Sequence, residues 1–140
     1  MTLSDLFAYL GAPLTNTRWS WGAVRETDGA VFLRVWQGEG QKIEGRYFTR
    51  ISSNAFYLAN EPTNLGYMER SRHIELIRRG AKSYMIMCRG RDIEGSPTEI
   101  VGFDDSELFV GGDLIEIDGE SWLQRVGRKP RAELRSLQTR

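Results

Sequence analysis

Apolar and polar residues alternate on both sides of an Asp28-Gly29 pair near the start of the chain. This pattern predicts a β-hairpin with strands at about residues 18–25 and 30–36, because Asp-Gly tolerates the positive φ angles of a tight turn. Side chains two residues apart share one face of a strand. We therefore expect Trp19 and Trp21 to project together from one face of this hairpin.

Apolar spacing and capping residues predict two helices. The first covers residues 3–10 and is capped by Thr2 or Ser4. The second covers residues 66–79, with Asn64 or a neighbouring residue as its cap. The residues of the second helix expected to face the core are Ile74 and Ile77, with Tyr67 or the aliphatic stem of Arg70.

The rest of the chain predicts an antiparallel sheet. Further strands are expected at about residues 47–58, 83–89, 99–103, 113–117 and 121–126. Asp118-Gly119 predicts a second hairpin, Gly111-Gly112 a tight turn, and the glycine-rich segment 37–46 a mobile loop. The sum is a single α+β domain over residues 1–128, with two or three helices and a mostly antiparallel sheet that could form a barrel. Residues 129–140 form a basic tail, either a short helix or frayed.

Composition places the chain among ordinary soluble domains. A hydrophobic fraction of 40% is sufficient for a core without a metal or a disulfide. The single cysteine, Cys88, lies in an apolar run, which predicts a buried thiol with a raised pKa in a reducing, cytoplasmic protein. The sequence contains neither a leader pattern nor an apolar run of about 20 residues, so we expect an unprocessed protein with no membrane partner.

The net charge of zero conceals a segregated distribution. Residues 68–92 carry seven Arg or Lys against three acids, residues 93–120 carry nine acids and no base, and residues 121–140 carry six bases and one acid. This patterning could build a basic face and an acidic face. The alternative is that neighbouring strands pair their opposite charges across the sheet.

Catalytic signatures are scarce. One histidine and one cysteine exclude the usual zinc clusters, and no glycine-rich phosphate loop indicates a nucleotide cofactor, so no cofactor is expected. His73, on the second helix, is more typical of a structural residue than of a catalytic base. An all-carboxylate magnesium site stays open at Asp104, Asp105 and Glu107, or at Asp113, Glu116 and Asp118, although no lysine accompanies these acids.

Nucleic-acid recognition has better support, because aromatic rings stack on bases and guanidinium groups bind phosphates. The hairpin combines rings with arginines, and the second helix presents a basic face. The candidate nucleic-acid-binding residues are Arg18, Trp19, Arg34, Trp36, Arg72, His73 and Arg78. The alternatives are that the rings fill the core and that the helix face is merely solvated.

Three stretches of the chain also carry a resemblance. They are NTRWSWGA at 16–23 with FLRVW at 32–36, RHIELIRRG at 72–80, and FVGGDLIE at 109–116 before Trp122. Together they resemble an uncharacterised bacterial family of small proteins, associated with restriction-type systems that contain HNH nucleases. The resemblance covers about residues 3–126 and implies no catalytic residues, and the chain lacks the histidines of an HNH centre. Its strand content is also similar to that of domains that read modified bases in an aromatic pocket.

Three functional hypotheses follow. The first is a non-enzymatic nucleic-acid-binding module for DNA or RNA, reading modified or unpaired bases. The second is a protein-interaction or homo-oligomerisation domain, in which the acidic segment 93–120 of one copy meets the basic helix of another. The third is a divalent-metal-dependent hydrolase using Asp104, Asp105 or Glu107.

Overall fold

The computed structural model describes residues 1–91 and 99–135 and confirms a single α+β domain. The helices of this part of the chain are α1 (Leu3–Tyr9), α2 (Asn54–Asn60), α3 (Leu65–Arg78) and α4 (Arg131–Leu134). The strands are β1 (Gly22–Val24), β2 (Val31–Trp36), β3 (Gly40–Ile43), β4 (Arg46–Ser52), β5 (Ser83–Arg91), β6 (Glu99–Phe103), β7 (Glu107–Ile117) and β8 (Glu120–Pro130). None of these helices is long and apolar enough to cross a bilayer.

The described strands form one open sheet in the order β1-β2-β5-β7-β8-β4-β3, with β6 paired to the far end of β5. The predicted antiparallel character is confirmed at every pairing except β2–β5, which is parallel. The sheet does not close into a barrel, because β1 and β3 remain its two edges.

Two hydrophobic clusters cover opposite faces of the central strands β2 and β5. On one face, α1 packs Leu6 and Phe7 against Phe32 of β2. On the other face, α3 packs Ile74 and Ile77 into a second cluster, whose strand residues are Val31, Leu33, Val35, Ile51, Met85 and Leu123. Because both faces of β2 are buried, its sequence VFLRVW is nearly continuously apolar rather than alternating.

Local capping chemistry explains why the helices begin where the sequence predicts. Thr2 and Asp5 form a reciprocal capping box at the start of α1. The Asn64 side chain accepts a hydrogen bond from the backbone N–H of Tyr67 at the start of α3. Burial of Tyr67, Arg70, Ile74 and Ile77 on the inner face of α3 is confirmed.

The predicted strand over residues 18–25 is wrong for its first half. Residues 17–19 form a turn, and only Gly22–Val24 are extended. The cause is Asn16, whose side-chain oxygen accepts hydrogen bonds from the backbone N–H groups of Arg18 and Trp19. Trp19 and Trp21 therefore do not share a strand face. The hairpin of β1 and β2 is confirmed, with Gly29 at φ 75°.

Three further expectations need correction. The segment 37–46 is not a loop throughout, since β3 pairs with β4 through a Glu44-Gly45 turn with φ angles of 49° and 82°. The strand predicted over 47–58 ends at Ser52, where the helix α2 follows. Gly111-Gly112 is no turn, because both residues lie within β7.

The β7–β8 hairpin carries two register shifts of opposite sense. Val110 pairs with Gly127 but Gly111 pairs with Arg125, so β8 contains one extra residue at this point. The regular register resumes at Leu114 and continues to the Asp118-Gly119 turn, which is confirmed with φ angles of 50° and 78°. A bulge of this kind turns residues that would face opposite sides of a strand toward the same side.

Within the described part of the predicted tail, residues 129–130 belong to β8 and Arg131–Leu134 are helical. Leu134 is buried in the cluster under α1. The Leu134 carbonyl accepts a hydrogen bond from Arg25, which also donates to the Leu10 carbonyl. Arg25 thereby links the end of α1 to the end of α4 and acts as a structural residue. Residues 136–140 of the predicted tail lie outside the described residues.

Candidate functional site

A concave cleft opens at one end of the sheet, beyond the core cluster under α3. Its volume is about 340 Å³, near the lower end of the range of roughly 300–1,000 Å³ typical of small-molecule pockets. Six strands and the loop between β2 and β3 contribute residues to it. The aromatic, amide and cationic lining residues are Trp36, Gln37, Gln41, Lys42, Tyr47, Phe109 and Arg125, with Met87, Gly38 and Gly40 beside them.

The β3–β4 hairpin supplies one wall. Lys42 and Tyr47 are directly opposite each other in its register, and the Lys42 ammonium lies 5.7 Å from the centre of the Tyr47 ring. Tyr47 is 54% exposed, so much of this ring is available to a stacking partner. This wall exists because the segment predicted to be a loop forms a strand.

Strands β7 and β8 supply the opposite wall. The Arg125 guanidinium carbon lies 5.0 Å from the centre of the Phe109 ring and 5.6 Å from that of Tyr47, distances at which cation–π attraction holds the group in place. A Cβ atom on Gly40 would lie 3.3 Å from an Arg125 side-chain nitrogen. The glycine therefore lets the guanidinium lie close against β3.

The cleft carries positive charge without acidic lining residues. Among the described residues, neither Lys42 nor Arg125 forms an ion pair. The nearby acid Glu39 is already bound to Arg50, and Asp113 is bound to Arg46. The Arg125 Nε atom is buried and has no hydrogen-bond partner among the described residues. An anionic group is the chemistry that such a pair of cations favours.

Of the seven candidate residues from the sequence, only Trp36 lines this cleft. It is half-buried at the end of β2, with part of its ring against the cluster under α1. Arg18 is exposed and Trp19 half-buried on the turn at 17–19. The hairpin residues of the candidate set are therefore not assembled on one strand face.

The α3 candidates differ among themselves. Arg72 is exposed, whereas His73 is buried, and burial together with the charges of Arg70 and Arg72 lowers the pKa of its imidazole to about 4. Arg78 is exposed and forms ion pairs with Glu75 and Glu116. His73 is neutral at pH 7, so it contributes no positive charge toward a phosphate.

Arg34 belongs to a buried polar cluster near the start of α3. It is half-buried, and desolvation lowers its pKa. Its carbonyl and the carbonyls of Trp21 and Ile51 accept hydrogen bonds from the fully buried guanidinium of Arg70. Glu69 accepts a bond from the Ser20 hydroxyl beside them. These contacts join α3 to β2, to β4 and to the residue that precedes β1, which is a structural role for Arg70.

The acidic segment is largely neutralised within the chain. Five of its carboxylates lie within 4.0 Å of an arginine, in the pairs Asp105–Arg131, Glu107–Arg128, Asp113–Arg46, Glu116–Arg78 and Glu120–Arg50. Residues 93–98 of that segment lie outside the described residues. In the part that is described, pairing of opposite charges between neighbouring elements accounts for the segregation seen in the sequence.

The same pairs weaken the magnesium-site hypothesis. Asp104 accepts hydrogen bonds from Ser106, while Asp105 and Glu107 pair with arginines. No group of three or more His, Cys, Asp or Glu side chains is arranged to hold a metal ion in the ranges 1–91 and 99–135. Cys88 is buried, and desolvation raises its thiol pKa to about 11, as expected for an unreactive cysteine.

Sequence reasoning missed most of the cleft. Tyr47 follows Arg46 in the sequence, but strand β3, which places Lys42 opposite it, was not predicted. Phe109 and Arg128 are equidistant from the Asp118-Gly119 turn, so an unbroken hairpin extended from that turn would have paired them. The bulge that adds Arg125 to the same side carries no sequence signal beyond the glycines of β7. No family model matches the chain, and neither the curated proteins nor the solved structures contain a significant match.

Proposed function

We propose that this chain is a non-enzymatic nucleic-acid-binding module that holds an unpaired or modified base in the cleft. The observation that carries the proposal is the pair of uncompensated cations, Lys42 and Arg125, held against aromatic rings in one concave site. A base with its phosphate is the ligand that combines an aromatic ring with negative charge.

Each part of a nucleotide has a matching group. Tyr47, which is 54% exposed, offers its ring for stacking on the base. Gln37 and Gln41 are exposed amides in the lining, and amides pair with the donor and acceptor atoms on base edges. Arg125 and Lys42 serve the phosphate. The size of the cleft fits one extruded or single-stranded nucleotide rather than a base pair, which agrees with a reader of unpaired or modified bases.

The test is binding of fluorescein-labelled single-stranded DNA and RNA octamers, measured by anisotropy at two salt concentrations. We expect affinity that falls with salt, because phosphate contacts release counterions. Tyr47→Ala should weaken binding by roughly 1–3 kcal/mol, or roughly 5- to 150-fold. Phe56→Ala is the matched control, since Phe56 is a similarly exposed ring (49%) on α2.

A second pair of variants tests the charge. Arg125→Gln should weaken binding and flatten the salt dependence. Arg79→Gln removes the same charge from the residue that follows α3, whose side chain is 76% exposed, and should change little. Absence of binding at low salt, or equal affinities for Tyr47→Ala and Phe56→Ala, would reject the proposal. Octamers with one modified base, and duplexes with one unpaired base, then identify which feature is read.

In the described part of the chain, no specific observation favours the homo-oligomerisation hypothesis or the metal-dependent hydrolase hypothesis. Homo-oligomerisation through charge needs free carboxylates, yet five acids of β7, β8 and the preceding turn are paired in the same chain.

The buried free thiol of Cys88 supports placing the module in the cytoplasm, where thiols stay reduced.

A further inference from the structure

The two cations of the cleft, Lys42 and Arg125, lie close to the same strand. A Cβ atom on Gly40 would lie 3.3 Å from an Arg125 guanidinium nitrogen, so the guanidinium lies against β3. Lys42 is two residues further along β3 and on the same face, about 7 Å from Gly40 at roughly 3.3 Å per residue. The Tyr47 ring borders both groups, with the Arg125 guanidinium carbon 5.6 Å and the Lys42 ammonium 5.7 Å from its centre. Both side chains therefore reach one anionic group held against β3.

Other charged groups near the cleft do not change this positive charge. Arg128 lies against a ring that lines the cleft, but its charge is paired with Glu107. Glu44, in the turn of the β3–β4 hairpin, does not line the cleft and forms no ion pair with Lys42. The cleft therefore holds two positive charges, those of Lys42 and Arg125, that the described part of the fold does not neutralise.

Two positive charges match a phosphate monoester better than a phosphodiester. A phosphodiester inside a strand carries one negative charge. A phosphate monoester carries a charge of about −1.5 to −2 at pH 7 and has three free oxygens that accept strong hydrogen bonds. The planar guanidinium of Arg125 suits two of these oxygens, and the ammonium of Lys42 acts as a point charge on the third.

We infer that the nucleotide held in the cleft carries a terminal phosphate monoester, which Lys42 and Arg125 bind together while Tyr47 stacks on the base. This inference rests on the proposed function and adds the chemical class of the ligand. Such a group is found at the phosphorylated end of a strand and in a free nucleoside monophosphate. Either ligand places one nucleotide in the cleft of about 340 Å³ without requiring the chain to leave the cleft on both sides.

The experiment measures binding of the full chain to unlabelled thymidylate octamers by isothermal titration calorimetry. The octamers carry no end phosphate, a 5′-phosphate, a 3′-phosphate, or the methyl ester of either end phosphate. One of the two phosphorylated octamers should bind about tenfold more tightly than the unphosphorylated octamer, because it adds charge-assisted hydrogen bonds. Its methyl ester, whose end phosphate carries a single negative charge, should lose most of this gain.

A matched pair of variants tests the second positive charge. Lys42→Gln should bring the ratio of the affinities for the phosphorylated and unphosphorylated octamers close to one. The control Lys82→Gln should keep the wild-type ratio, because Lys82 is exposed and precedes β5, at the end of that strand away from the cleft residue Met87. Equal affinities of the wild-type protein for all octamers, or an unchanged ratio in Lys42→Gln, would overturn the inference.

Small ligands separate the two sources of the phosphate monoester. If dTMP binds as tightly as the phosphorylated octamer, the ligand is a free nucleotide, and if dTMP binds more weakly, the ligand is a strand end. Inorganic phosphate that binds as tightly as dTMP would overturn the inference, since no base would then be held.

Failure of the proposed function gives a different result. If no octamer binds, or if octamer affinity is unchanged by Tyr47→Ala, the cleft does not hold a base of a nucleic acid. If the unphosphorylated octamer binds in a Tyr47-dependent way and an end phosphate adds nothing, the proposed function stands and only the phosphate monoester is wrong.

Discussion

The buried imidazole of His73 makes folding stability depend on pH in a defined window. His73 is the one histidine of the chain and is 6% exposed on the inner face of α3. Burial, and then the charges of Arg70 and Arg72, lower its pKa from 6.5 to about 4. The folded state therefore keeps the imidazole neutral over a range in which the unfolded state protonates it.

The sign and size of the effect follow from this difference. Above pH 6.5 both states are neutral and the group has no influence. As the pH falls from 6.5 toward 4, the unfolded state binds a proton that the folded state does not, so the free energy of unfolding decreases. The decrease is about 2 kcal/mol at about pH 5 and about 3 kcal/mol when both pKa values have been passed. A loss of this size is a substantial part of the roughly 5–15 kcal/mol typical of a domain.

The assay is urea unfolding at pH 7, 6 and 5 of the wild-type protein and of His73→Leu, which cannot titrate. The variant should be flat over this window, because carboxylates such as Asp5 and Glu75, whose pKa values are lowered by hydrogen bonds, act at lower pH. The single imidazole resonance in a proton NMR titration reports the pKa directly. Parallel stability curves for the two proteins, or an imidazole that titrates near 6.5, would refute the reasoning.

Two other predictions concern stability. Arg70→Met should destabilise the fold by about 3 kcal/mol in urea unfolding, because three buried carbonyls lose their donor. The control Arg72→Met, at an exposed position of the same helix, should cost little. Equal losses of stability in the two variants would contradict this role of Arg70. Gly66→Ala should cost about 1–3 kcal/mol despite the better helix propensity of alanine, since its Cβ atom would clash with the Trp21 ring. A higher melting temperature for this variant than for the wild-type protein would contradict this packing.

Elements defined by local chemistry were predictable from the sequence. The start of α3 was predicted because Asn64 satisfies a free N–H group within one turn of the chain. The β7–β8 hairpin was predicted because Asp118-Gly119 accommodates two positive φ angles. In both cases the determining contacts lie within a few residues in sequence.

Elements that depend on distant partners were not predictable. The alternation around Trp19 and Trp21 fits a strand, yet Asn16 captures two backbone N–H groups and coils the segment. Trp21 then packs against Gly66 on α3, a neighbour 45 positions away in sequence. The cleft was not predictable for the same reason. Its walls come from strands paired in the order β5-β7-β8-β4-β3, and no single segment of the sequence determines that order.

The net charge of zero does not show which charges are available to a ligand, because opposite charges that lie far apart in the sequence are paired in the fold. Arginines on β4, β8, α3 and α4 take the carboxylates of the acidic segment within the fold. Such exposed or half-exposed pairs add little stability, roughly 0–1 kcal/mol each, but they make those charges less available to a ligand. The cations left over are then informative, and two of them, Lys42 and Arg125, lie on aromatic rings of the same cleft. Neither of the two forms an ion pair with any described residue, so theirs are the charges in the cleft that the described part of the fold does not neutralise.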